Sequence, residues 1–397
     1  MNSIFKINQQ IIIDNTFPKS VLLLGGSGSI GRQTFELCVA QPEKFRVKSI
    51  ISGNNVQETI RQAKTVQPEF IVMATESAAR AVQSEISNVK VLFGDLSKKE
   101  VIATGHDIAI TAIPGLNGLI STFDAIQHSK VVAFANKEVI VYTGELLLKF
   151  AQKYNTAIIP IDSEHHAIFQ ILHGLNNLEN VKKIVLTASG GPFLHRKNIK
   201  NVSIEDVLNH PTWRMGSKIS VDCATLFNKA LEVIEASYLF GMNLNDIEAI
   251  IHSESVVHGI IELKSGEIFM HASASDMKIP INAALNWPQK GSFYIPLNLT
   301  SVGRLNFQNI DHSQFPMFNL CIDAAKHGII TRIAVNYANE LAVEMFLNSQ
   351  IQFHEIYHVV NLGLNSSMNF KSENIFDTID TIQSICTNVK MAIQMKY

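Results

Sequence analysis

The segment "LLLGGSGSIGRQTF" at residues 22–35 narrows most what this chain can fold into. An apolar run is followed by glycines at 25, 28 and 31 and then by helical spacing. A strand that turns directly into a helix needs glycine so that backbone N–H groups can approach a pyrophosphate closely. The helix N-terminus then presents unpaired donors and a partial positive charge. Gly25, Gly28 and Gly31 are therefore candidate cofactor-binding positions, with Ser27 and Ser29 as added hydroxyl donors. Such a turn can also be merely tight. Its place in a βαβ unit makes nucleotide binding the better reading.

The unit repeats along the first 161 residues. Apolar runs "SVLLLG", "FRVKSIIS", "FIVMA", "KVLFG", "DIAITAI", "VVAFA" and "AIIPI" alternate with helical stretches such as "ETIRQAKTVQ". Strands alternating with helices predict a parallel sheet covered on both faces, a Rossmann-like α/β domain over residues 1–161. From residue 162 helices mix with period-two segments ("KKIVLTAS", "AIIHSESVVHGIIEL", "EIFMHAS"), which predicts an α+β domain to residue 285 with a largely antiparallel sheet. Residues 286–316 are rich in Pro, Gly and Asn and read as a linker. Long helical patterns dominate residues 317–397, a helical C-terminal domain. A chain of 397 residues accommodates these divisions.

The second strand ends in "SGNN". An acidic residue there would bind ribose hydroxyls and favour NAD; its absence tilts the reading to NADP, slightly, since no lysine or arginine stands there either. Formal net charge is −2 with no basic run, so neither nucleic acid nor a membrane surface has an electrostatic footprint. Four cysteines lie far apart without a CxxC pair, which fits free thiols in a reducing compartment and no cysteine zinc site. The N-terminus lacks a signal-peptide pattern and no run of about 18 apolar residues occurs. A cytoplasmic protein is expected.

Chemistry concentrates where the last apolar run meets a helix, in "PIDSEHHAIF". Asp162 and Glu164 point to one side of extended backbone and suit a hard divalent cation such as Mg2+ or Mn2+. From this segment alone the better reading is a helix N-cap, with Asp162 or Ser163 capping. A third acid shifts the balance. "VDCATLFNKALEVIEA" reads as one helix at residues 221–236, with Asn228, Lys229 and Glu232 on one face. That face is either a salt-bridged surface or the completion of a metal site by Glu232 and an anion site by Asn228 and Lys229. His165 and His166 are left out of the metal set, because adjacent helical residues cannot easily both face one ion. Lys137 follows a buried-type strand at its carboxyl end, where open α/β sheets bind ligands; a solvated turn is the alternative. "ASGGPF" offers Ser189 and backbone donors to phosphate. Trp213, in a loop between Pro211 and Gly216, suits either a lid or an aromatic anchor.

In combination, "GSGSIG", "ANKE", "DSEHHAIFQ", "SGGPF", "HPTWRMGSKISVD", "NKALE", "DMKIPI" and "NWP" resemble the 1-deoxy-D-xylulose 5-phosphate reductoisomerase family from about residue 21 to the C-terminus. The resemblance implies a homodimeric enzyme that uses NADPH and Mg2+ or Mn2+ to isomerise and reduce a phosphorylated sugar. It implies metal ligands Asp162, Glu164 and Glu232, with Lys137 near the reacting carbons. Substrate contacts would be Lys137, Ser163, Glu164, Ser189, His210, Trp213, Cys223, Asn228, Lys229 and Glu232; Lys137, Glu164 and Glu232 would be catalytic. Ser27, Gly28, Ser29, Ile30, Gly53, Asn54, Asn55, Asn136, Glu138 and Gly216 would form the cofactor shell. The chain departs from the family pattern at Cys223, where a phosphate-binding serine is usual, at Asn54, where a basic residue is frequent, and at Ala230, a usual glycine. Two readings of other classes compete on the residues themselves: a metal-independent NAD(P) oxidoreductase, indifferent to chelators, and a non-catalytic NADP sensor, which would bind NADPH without consuming it.

Overall fold

The computed structural model describes residues 3–14, 16–175, 178–196, 199, 201–291, 293–368 and 379–397. Seven strands form one sheet: β1 (Lys19–Leu24), β2 (Phe45–Ser52), β3 (Phe70–Met73), β4 (Lys90–Phe93), β5 (His106–Thr111), β6 (Ser129–Phe134) and β7 (Ala157–Pro160). Their order is β4-β3-β2-β1-β5-β6-β7 and every neighbouring pair is parallel. Each apolar run of the first 161 residues is one of these strands. Their continuous hydrophobicity, as in Leu22, Leu23 and Leu24, follows from burial on both faces. The order reverses at β1 and β5, so the loops leaving these strands diverge and open a crevice at the carboxyl edge.

A second sheet comprises β8 (Val181–Ala188), β9 (Ile247–Ile251), β10 (Val257–Leu263), β11 (Ile268–Ala272) and β12 (Gln308–Asn309), in the order β11-β10-β8-β9-β12. It is antiparallel except between β8 and β9. The segment "AIIHSESVVHGIIEL" is two strands, broken where Ser255 takes φ +52°. The stretch read as a linker supplies β12 to this sheet.

Two helices join the sheets. Helix Ser163–Leu175 leaves β7 and packs on β10 and β11; helix Phe227–Phe240 is buried almost throughout. The single helix expected at 221–236 is in fact two. Helix Ser217–Ala224 ends at Thr225, Leu226 turns left-handed at φ +56°, and Phe227 begins the next helix. The Thr225 hydroxyl donates to the Val221 and Asp222 carbonyls and accepts from the Phe227 N–H. A local side-chain partner of this kind competes with the backbone ladder and lets the chain turn. Helices Pro316–Lys326, Ile329–Leu347, Ile356–Ser367 and Ile379–Gln394 pack together, and Ile329–Leu347 also packs on helices Lys137–Thr143 and Ser217–Ala224. A short N-terminal helix, Ile4–Gln9, lies beside β7.

Candidate active site

The chain leaves β1 through the glycine turn into helix Ser29–Ala40. A Cβ on Gly31 would stand 2.3 Å from the Gly25 carbonyl oxygen and 2.6 Å from Gly26 Cα, so the helix seats on the turn only with glycine there. Gly28 is the N-cap and brings no side-chain acceptor, which leaves first-turn N–H groups to an external anion. Gly53, Asn54 and Asn55 stand exposed at the neighbouring end of β2. Asn54 Oδ1 accepts from the Thr75 hydroxyl at 3.1 Å, and Asn55 Oδ1 caps helix Val56–Val66 through the Glu58 N–H. The Asn136 side chain is engaged within the protein: it donates to the Gly115 and Ile113 carbonyls and accepts from the Val139 N–H. It ties the loop after β5 to the loop after β6.

A cleft of about 190 Å³ opens beside this turn. Its wall includes Ser29, Ile30, Lys137, Asp162, Ser163, Glu164, Ser189, Trp213, Gly216, Cys223, Asn228, Lys229 and Glu232. Gly25, Ser27, Gly28, Gly31, Gly53, Asn54, Asn55, Asn136, Glu138 and His210 lie outside it.

Asp162, Glu164 and Glu232 each offer one oxygen, and these lie within 4.8 Å of one another. The cap reading of Asp162 holds, and its second oxygen faces the cluster. Oδ1 caps helix Ser163–Leu175 by accepting from the Glu164 and His165 N–H groups at 3.1 and 3.2 Å, while Oδ2 accepts from Lys137 Nζ at 2.9 Å. Lys137 also donates to Asn228 Oδ1 at 2.9 Å and Glu232 Oε1 at 3.0 Å. Lys229 donates to Glu164 Oε1 at 2.9 Å and to Glu232 Oε2. Three carboxylates face two ammonium groups in a largely buried cluster, a formal surplus of one negative charge. Burial, then the Glu232 and Asp162 charges, push the Glu164 carboxyl up to about 7 despite Lys229. Burial opposes ionisation of Lys137, but Asp162, Glu232 and Glu235 outweigh it and hold the ammonium well above its ordinary range. A set of three hard oxygen donors with a surplus negative charge fits a divalent cation.

A second group of donors closes the other wall. Gly191, at φ +68°, would place a Cβ 2.7 Å from the Cys223 carbonyl oxygen, so the Ser-Gly-Gly turn lies directly against the end of helix Ser217–Ala224. His210 Nδ1 accepts from the Thr212 and Trp213 N–H groups at 3.1 and 3.0 Å. The ring proton is thereby assigned to Nε2, which donates to Ser189 Oγ at 3.0 Å. Burial lowers His210 to about 4, which keeps this neutral tautomer. Ser189 Oγ accepts also from the Gly191 N–H at 3.3 Å, so its own hydrogen is left for a ligand oxygen. Burial, reinforced by Glu232, pushes the Cys223 thiol up to about 12.

Several residues have positioning parts that their sequence pattern does not assign. His165 donates from Nε2 to the Glu232 carbonyl at 2.9 Å, and its Nδ1 lies 3.2 Å from Glu235 Oε2. It joins the two helices that carry Glu164 and Glu232. Lys218 pairs with Glu138 at 2.5 Å and Asp222 at 2.8 Å; the four-residue spacing of Lys218 and Asp222 was the available signal. Asn339 donates to Asp222 Oδ1 at 2.7 Å, and Glu340 accepts from the Tyr142 hydroxyl at 2.5 Å. These two side chains bring the C-terminal helices into contact with the back of the site, and no local pattern announces them.

Comparison with known proteins bears on the same segments. Residues 21–144 match the family described as 1-deoxy-D-xylulose 5-phosphate reductoisomerase, residues 158–240 match its C-terminal domain, and residues 272–390 match the DXP reductoisomerase C-terminal domain. A Desulforamulus reducens 1-deoxy-D-xylulose 5-phosphate reductoisomerase is 40% identical over 356 residues, covering 87% of this chain and 92% of that protein. The Wolbachia enzyme from Drosophila simulans is 40% identical over 371 residues, covering 92% and 95%. A crystal structure of DOX-P reductoisomerase with NADPH, fosmidomycin and magnesium is 32% identical, superposes with a TM-score of 0.89 and covers 95% of this chain and 98% of the other. The Zymomonas mobilis enzyme with NADPH is 30% identical, with a TM-score of 0.86 and coverage of 96% and 98%.

Proposed function

This chain belongs to the 1-deoxy-D-xylulose 5-phosphate reductoisomerase family, and from that premise we propose how its cleft isomerises and reduces 1-deoxy-D-xylulose 5-phosphate to 2-C-methyl-D-erythritol 4-phosphate. It is an NADPH- and divalent-metal-dependent oxidoreductase of isoprenoid biosynthesis. The single observation that carries the site assignment is the meeting of Asp162, Glu164 and Glu232 beside the glycine turn.

Those three carboxylates would hold Mg2+ or Mn2+, a Lewis acid that stabilises negative charge on substrate oxygens while a carbon–carbon bond breaks and re-forms. NADPH, held at the glycine turn, would supply the hydride for the reduction. The glycine turn and the uncapped start of helix Ser29–Ala40 would receive the pyrophosphate, with Ser27, Ile30, Gly53, Asn54, Asn55 and Gly216 around it. Asn136 would act by holding the loop after β5 in place, and Glu138 by fixing Lys218. Lys137 is held protonated, so its part is to donate to an oxygen that gains charge rather than to take a proton. Ser163 donates to Glu164 Oε2 at 2.5 Å and orients it. The Ser189 hydroxyl, freed to donate by His210, together with Asn228 and Lys229, would bind the substrate phosphate and contribute remote binding energy. Trp213, anchored through His210 Nδ1, would close over the bound sugar and exclude water.

The chain would act as a homodimer. Among the described residues strand β11 is an edge of the second sheet, with Ile268, Phe269 and Met270 exposed, and Val185, Val257 and Ile260 form an apolar cluster apart from the main core. Such an edge favours pairing with another copy. A cytoplasmic location belongs to the same reading and is supported by four free thiols; no described helix is long and apolar enough to cross a membrane.

The test is an absorbance assay with deoxyxylulose phosphate, NADPH and added metal. Loss of NADPH absorbance should require the sugar phosphate, stop with chelator and return with Mn2+ or Mg2+. Activity indifferent to chelator would support the metal-independent alternative, and NADPH binding without consumption would support the sensor.

A further inference from the structure

We propose that residues 3–9 brace the three-carboxylate cluster and that Asn8 is a positioning residue for it; the inference rests on the site assignment above. These residues precede the segment matched by the family model, which begins at residue 21. They form helix Ile4–Gln9, capped by the Ser3 hydroxyl, with Ile4, Phe5, Ile7 and Asn8 buried.

Strand β7 is the last of its sheet, so among the described residues one of its sides has no strand neighbour. There the Asn8 side chain takes a strand's place. Its Nδ2 donates to the Ile158 carbonyl at 2.9 Å, and its Oδ1 accepts from the Ile158 N–H at 3.0 Å. One carboxamide thus satisfies both outward backbone groups of the residue, as an adjoining strand would. Without it two buried polar groups lack partners and the edge is released. Asp162 stands four residues beyond Ile158, and its Oδ1 starts helix Ser163–Leu175, so the course of β7 sets where Asp162 and Glu164 point.

The same short helix packs on β7, on helix Ser163–Leu175 and on helix Phe227–Phe240. These are the elements that place Asp162, Glu164 and Glu232. Ile4, Phe5 and Ile7 are buried in the main core, and Phe5 and Asn8 also border a surface pocket of about 170 Å³ together with Phe169, His173 and Trp287. Apolar burial is non-directional, so the two hydrogen bonds of Asn8 fix the register of the helix against β7. Residues 3–9 therefore act on the ligand geometry from behind, without touching substrate or cofactor.

The experiment uses the full chain with Asn8→Ala and, as a milder change, Asn8→Ser, whose hydroxyl can supply one partner. Mn2+ affinity is read from the EPR signal of free Mn2+ on NADPH-saturated protein, NADPH affinity from nucleotide fluorescence, and folding from the melting curve. Asn8→Ala should weaken Mn2+ about tenfold, as loss of outer support does at metal sites, with Asn8→Ser between it and wild type. NADPH affinity should stay unchanged and saturating Mn2+ should restore turnover. Unchanged Mn2+ affinity in both variants, or parallel loss of Mn2+ and NADPH binding, overturns the brace. A wild-type chain that binds no Mn2+, or oxidises no NADPH with the sugar phosphate, removes instead the assignment on which the brace rests.

Discussion

Glu232 connects more of the cleft than a single ligand role requires: one oxygen accepts from Lys137 and Asn228, the other from Lys229. Replacing it with Gln removes the charge with little change of shape and leaves two buried ammonium groups each with one carboxylate fewer. Glu232→Gln should lower kcat at least about 100-fold, roughly 2.7 kcal/mol of barrier, while NADPH binding measured by fluorescence remains near wild type. Turnover close to wild type would remove Glu232 from the metal set. At Cys223 the direction reverses. The thiol, pushed up to about 12, stays protonated and is a weak donor facing the proposed phosphate site. Cys223→Ser supplies a stronger hydroxyl donor and should reduce substrate KM about two- to tenfold, the worth of one neutral hydrogen bond. Steady-state kinetics on deoxyxylulose phosphate decide it, and an unchanged KM would mean that residue 223 contributes no hydrogen bond to phosphate.

Elements explain which side chains sequence could reveal. The glycine turn, the acids after β7 and the Asn228–Lys229–Glu232 face each belong to one local pattern, and each is legible for that reason. The break at Leu226 is not, because the apolar spacing of 221–236 continues across it while the Thr225 hydroxyl diverts the backbone. Nor is the contact of helix Ile329–Leu347 with the site, since Asn339 and Glu340 find their partners, Asp222 and Tyr142, only after the domains pack. That contact has a pH signature. Burial raises Glu340 to about 7, with Lys218 partly offsetting and Glu138 adding to the shift. Between the unfolded carboxyl value near 4.5 and about 7 the folded chain binds more protons than the unfolded one, so stability from this group falls as pH rises through that window. Glu340→Gln keeps an acceptor for the Tyr142 hydroxyl and cannot ionise. It should equal wild type below about pH 4.5 and be more stable by about 3 kcal/mol above pH 7, as read from denaturation midpoints. A difference that does not change with pH would mean that Glu340 stays ionised in the folded state.

Across the whole molecule, the parallel sheet was fully legible, because a strand buried on both faces announces itself by unbroken hydrophobicity. The second sheet was legible only in outline. Period-two alternation identifies a strand but carries no direction, so the parallel pairing of β8 with β9 and the joining of β12 emerge only from the fold. The alternation does show which face is outward. Met270 pairs with Ile260 and Ile268 with Glu262, so Ile268 and Met270 share the outer face with Ile260, whose strand neighbour on the far side is Val185. Ile268 is 57% and Met270 47% exposed, on an edge strand that carries no charge of its own. A free edge so composed invites association unless a specific partner covers it, and two copies meeting here would need about 1,200–2,000 Å² of buried surface for a stable pair. Lysine at both positions places two charges where apolar side chains would be desolvated, without altering any group in the cleft. The Ile268→Lys, Met270→Lys chain should sediment as a monomer at concentrations where wild type sediments as a dimer, with its melting curve retained. A double variant that remains dimeric would move the interface to another face, and a monomeric wild type would remove the dimer from the reading altogether.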